Sequence, residues 1–144
     1  SDSTLDHFEH VSTIHTGLAQ LARVLCSGGR LIVSLDNPVN LTYPPRWLVR
    51  LWMRMGLAPY YVGVTLSAAG LDAALKAQGL SVMRRTTILH YPHPDGLVRL
   101  CERGARTVRL DGLMRRFFAA TEQLEGTRLR YLTGRYIAMD AIKH

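Results

Sequence analysis

The chain has 144 residues, 47% of them hydrophobic and 20% charged, which excludes a disordered chain and supplies enough apolar mass for one core. Sixteen Arg and two Lys stand against 11 acids, a net charge of +7 that suits an anionic partner but fixes neither fold nor site. No run of about 18 apolar residues occurs, so no transmembrane helix is expected, and residues 1–6 lack the basic and apolar regions of a signal peptide.

Phe8, Val11, Ile14, Leu18, Leu21, Ala22 and Leu25 recur at three- and four-residue steps, which predicts a helix from Asp6 to Leu25. Ser27-Gly28-Gly29 ends it. Leu31 to Leu35 is an almost unbroken apolar run and reads as a buried strand of a parallel sheet, closed by Asp36-Asn37-Pro38. Residues 39–66 read as a lid-like insert holding one helix, Pro45 to Met55. On that helix Arg46, Arg50 and Arg54 share a face, while Trp47, Leu48, Leu51, Trp52 and Met55 share another. Ser67 to Gln78 is a helix with Ser67 as N-cap and Gly79 as stop, followed by a strand over Leu80 to Leu89. A helical insert fills about residues 95–128, with helices over 95–103 and 110–124. Gly134 to Lys143 reads as the last strand. Alternating strands and helices indicate an α/β sheet, and three strands are few for a sheet covered on both faces. Cys26 and Cys101 lie far apart, without a CxxC pair, and fit free thiols in a reducing cytoplasm.

Arg23-Val24-Leu25-Cys26-Ser27-Gly28-Gly29-Arg30-Leu31-Ile32-Val33 resembles the helix-to-strand passage before the fifth strand of class I S-adenosylmethionine-dependent methyltransferases, with Ser27 where proline is usual. Residues 1–8 resemble the loop after that family's fourth strand, and Gln78-Gly79-Leu80-Ser81-Val82 resembles the approach to its sixth. Gly134 to Lys143 takes the place of the seventh strand, which in the family runs antiparallel between the fifth and sixth. The resemblance implies the C-terminal part of a Rossmann-like methyltransferase domain, spanning residues 1–144, with the first four strands upstream of Ser1. The missing initiator Met fits a processed or truncated start. No Gly-x-Gly-x-Gly sequence occurs. Such a loop lets backbone approach the cofactor closely, so this chain alone is expected to bind S-adenosylmethionine poorly.

Ligands of open α/β sheets bind beyond the carboxyl ends of the strands, which selects two places. In the first, the resemblance puts Asp2, Ser3 and Thr4 beside the methionine part of the cofactor. Asp6 or His7 there can take a proton from a hydroxyl or amine acceptor; alternatively, Asp6 caps the first helix and His7 packs on its first turn. In the second, Asp36 and Asn37 either orient the acceptor or only form the turn. Trp47, Tyr60 and Tyr61 in the lid-like insert suit a ring-bearing or lipid-like acceptor, or form local core. Methyl transfer depends on holding acceptor and methyl in line, so no nucleophile motif is required. His90, His93 and Cys101 have the wrong spacing for a standard zinc site, and no metal is expected.

Two other functions compete with a methyltransferase. The Arg46-Arg50-Arg54 stripe beside a Trp-rich face suits peripheral contact with an anionic membrane, and Arg99, Arg103 and Arg106 add a second basic cluster, although no strong nucleic-acid signal exists. A non-catalytic remnant would expose a strand edge and self-associate.

Overall fold

The computed structural model describes residues 4–41, 44–56, 63–90 and 108–144. The helix expected over 95–103, the cluster of Arg99, Arg103 and Arg106, and His93 and Cys101 lie outside these residues, as do Asp2, Ser3, Tyr60 and Tyr61.

The chain opens with a 3-10 turn, Leu5–His7, and then forms α1 (Val11–Val24), β1 (Arg30–Asp36) and α2 (Arg46–Arg54). It continues through α3 (Ala68–Ala77), β2 (Leu80–Ile88), α4 (Val108–Glu122), a second 3-10 turn (Gln123–Gly126), α5 (Arg130–Thr133) and β3 (Tyr136–Lys143). The predicted first helix is therefore too long by five residues at its start. Phe8 and His10 are extended, and the N-cap position is His10, not Asp6. The short helix α5 has no counterpart in the sequence reading.

The strand order is β1-β3-β2. β3 pairs antiparallel with both neighbours, Val33 opposite Met139 and Thr87 opposite Ile137. The apolar run of β1 is thus not a parallel-paired strand among the described residues. It reads that way because it is buried along most of its length, and burial, not strand direction, produces an unbroken apolar run. β1 and β2 are mutually parallel because each opposes β3.

Side chains alternate across the sheet. Leu31, Val33, Leu35, Leu80, Ile137, Met139 and Ala141 turn to one face, where Ile14, Leu18 and Ala22 of α1 and Leu71, Ala74 and Leu75 of α3 complete a single core. Each of these larger side chains, fully buried, contributes about 1.5–3 kcal/mol. Ser67 caps α3 by accepting a hydrogen bond from Gly70 N at 3.1 Å, as its place before the apolar periodicity predicts. α3 ends at Gly79, whose φ of +73° is a conformation that disfavours side chains. Lys143 ties the last strand to α1, its Nζ donating to Ala22 O at 2.7 Å and Leu25 O at 2.8 Å. A cation there satisfies carbonyls left open by the end of the helix.

The opposite sheet face carries Arg30, Ile32, Ala138 and Asp140 and meets Glu125 of the second 3-10 turn, around a shallow cavity of about 330 Å³. Thr86 donates to Glu125 Oε1 at 3.0 Å. Arg84 and Arg85 lie on β2, an edge strand among the described residues, and charge of this kind discourages edge-to-edge pairing.

Candidate functional site

β1 delivers Asp36 and Asn37 to its carboxyl end, where three stretches of chain meet: the turn at Leu5–His7, the end of β1, and residues 63–65. Asp6 is 3% exposed, and its carboxylate accepts a hydrogen bond from Asp36 N at 2.9 Å. Thr65 Oγ1 donates to Asp36 O at 2.6 Å, so one backbone unit is held from two sides. Val64 N donates to Phe8 O at 2.9 Å. Gly63 makes the approach possible: a Cβ on it would lie 2.2 Å from Asp6 O and 2.6 Å from Phe8 O, closer than any side chain tolerates.

The structure therefore joins the two stretches that the sequence selected separately. Asp6 and Asp36 are in direct contact, and Asp6 does not cap α1. His7 is exposed beside them, and Thr4 is exposed at the start of the turn. Asn37 is buried and turned inward. Its Nδ2 donates to Tyr131 O and to Gly134 O, each at 2.8 Å, and its Oδ1 accepts from Val39 N at 3.2 Å. Those bonds use both amide protons and clamp the end of β1 to α5 and the start of β3. Trp47 stands on α2, 68% exposed and outside the junction.

Gly63 and Thr65 are junction residues that the sequence reading passed over. The available signal was an isolated glycine within Val62-Gly63-Val64-Thr65, since glycine among β-branched residues often marks a close backbone approach. A second cavity of about 330 Å³ lies at the end of β2, lined by Ile88, Leu89, His90, Phe118, Thr121, Glu122 and Glu125. His90 is bonded through both ring nitrogens, to Thr133 Oγ1 at 2.9 Å and Thr87 O at 3.1 Å, which marks it as a structural residue of that wall. No group of three or more His, Cys, Asp or Glu among the described residues is placed to hold a metal.

No protein-family model matches the sequence, and no curated protein is significantly similar to it. Among solved structures, the chain is similar to an S-adenosylmethionine-dependent methyltransferase from Mesorhizobium loti, with a TM-score of 0.50 and 15% identity. The chain shares a methyltransferase's fold. The match covers 99% of this chain and 59% of the methyltransferase, so the chain spans well under two thirds of its structural relative.

One oxygen of the Asp6 carboxylate, Oδ2, accepts from Asp36 N, and the sequence holds no Gly-x-Gly-x-Gly.

Proposed function

We propose that the chain is the C-terminal part of an S-adenosylmethionine-dependent methyltransferase whose acceptor is a small aromatic or lipid-like molecule. The observation that carries this reading is the fold likeness over 99% of the chain. The strand order β1-β3-β2, with the last strand inserted antiparallel between the other two, supports it, because the resemblance implies that placement. In this reading β1, β2 and β3 are the fifth, sixth and seventh strands of the domain, and the cofactor-binding strands precede Ser1.

The residues of this chain then form the acceptor side of the cleft. His7, exposed at the carboxyl end of β1, takes a proton from a hydroxyl or amine acceptor. Asp6 is a positioning residue: its buried carboxylate fixes the end of β1 beside His7. Asn37 holds the far side of the same turn. Methyl transfer is accelerated chiefly by aligning the reacting groups, a task suited to a rigid strand end.

Calorimetry with S-adenosylmethionine decides the matter. The chain of 144 residues is expected to give no binding heat, and the same chain extended by the reading frame before Ser1 is expected to bind. An upstream frame without a glycine-rich loop, or an extended protein that gives no heat, overturns the reading.

A further inference from the structure

The helix α2 presents an apolar face that the described core does not cover. Trp47, Leu51, Trp52 and Met55 are all exposed, and helical spacing sets them on one side. Val49 is 2% exposed and lies on the other side, so the helix is anchored through one edge and bares the opposite one. Two exposed tryptophans on nine residues are costly for a surface facing only water, and an exposed patch of this kind marks an interaction site.

The charges choose among occupants. Arg46, Arg50 and Arg54 recur at four-residue spacing in the sequence of this helix, and the chain has no acid from Asn37 to Leu71. A basic helix with a Trp- and Leu-rich face, without any acid, complements a surface that is apolar inside and anionic at its rim. α2, nine residues long, is too short to cross a bilayer, and no helix among the described residues is long and apolar enough to do so. Trp side chains favour the boundary between headgroups and acyl chains, and Arg reaches the phosphates from that depth.

We infer that α2 docks the protein peripherally on an anionic lipid bilayer, with Trp47, Leu51, Trp52 and Met55 entering the headgroup boundary and the basic charge of the helix, exposed at Arg54, favouring the anionic surface. This inference does not depend on methyl transfer, and its test requires no cofactor. The only two tryptophans of the chain are Trp47 and Trp52, so intrinsic fluorescence reports directly on α2.

The experiment titrates the whole chain with phosphatidylcholine vesicles containing 30% phosphatidylserine, with pure phosphatidylcholine vesicles, and with a duplex oligonucleotide. The expected result is a blue shift of tryptophan emission and co-flotation with the anionic vesicles, weakening as salt rises. Arg54→Gln is expected to weaken vesicle binding about fivefold, and the triple variant R46Q/R50Q/R54Q about 100-fold, from roughly 1 kcal/mol per basic residue near the surface. L51S/M55S is expected to abolish the blue shift while circular dichroism shows the fold intact. Three outcomes overturn the inference: no vesicle binding, equal binding to neutral vesicles without salt dependence, or a blue shift on oligonucleotide alone. Concentration-dependent self-association that removes the vesicle signal in wild type also overturns it, by assigning the face to a second copy of the chain.

Discussion

Asn37 shows how a side chain that reads as a ligand-binding group can be spent on the fold. Both amide protons point at main-chain carbonyls, those of Tyr131 and Gly134. Asn37→Ala leaves those carbonyls without a donor and is expected to cost roughly 2–3 kcal/mol, since a buried unsatisfied polar group costs about 1–3 kcal/mol. Asn37→Asp is nearly the same shape but sets a carboxylate oxygen against two carbonyl oxygens, so it is expected to destabilise more than alanine. Urea unfolding of both variants checks the order, and an aspartate variant as stable as wild type contradicts the assigned bonds. The sequence could not separate the two roles, because an Asx residue before proline at a strand end is equally a turn former and a ligand-orienting group.

At the scale of elements, β1 and β3 are joined across the sheet by a charge pair. Arg30 Nε donates to Asp140 Oδ1 at 2.6 Å, and Nη2 of the same guanidinium bonds Oδ2. This hydrogen bonding from Arg30 holds the Asp140 carboxyl below its ordinary value of 3.8, partial desolvation opposes the shift, and the Arg30 and Arg84 charges reinforce it. A carboxyl depressed in the folded state adds stability that is complete above its unfolded value and is lost as pH falls through its folded value. Asp140→Asn is therefore expected to be less stable than wild type at pH 7, with the gap closing below pH 3.8. Thermal melts at stepped pH give the comparison, and a gap that persists at the lowest pH refutes the linkage. Periodicity and punctuation made α3, β2 and β3 legible, because Ser67 and Gly79 stand where cap and stop belong. The start of α1 was not legible. Asp6 has the composition of an N-cap, but a tertiary bond to Asp36, 30 residues away, outweighs the local signal.

Across the whole molecule, the candidate site depends on a meeting of segments distant in sequence, and no window of local pattern contains it. The sequence marked Asp6 and Asp36 as separate places; only the tertiary fold joins them, through Gly63. Gly63→Ala puts a methyl group against the backbone of Asp6 and Phe8, so the two segments must separate. Its expected cost is about 2 kcal/mol or more, at the upper end of overpacking effects, together with faster hydrogen exchange at Asp36 and Val64. Wild-type exchange at both amides in the variant would show that the approach is looser than the structure indicates.

The central position of β3 governs how the chain is made. β1 and β2 touch each other only through β3, whose residues, Tyr136–Lys143, come near the end of this sequence. During synthesis both outer strands leave the ribosome before the strand between them exists, and the β1 ladder closes loops of about 100 residues. Such distant pairing folds slowly. Until Tyr136–Lys143 has been made, β1 and β2 must stay apart, each with one edge waiting for the same partner.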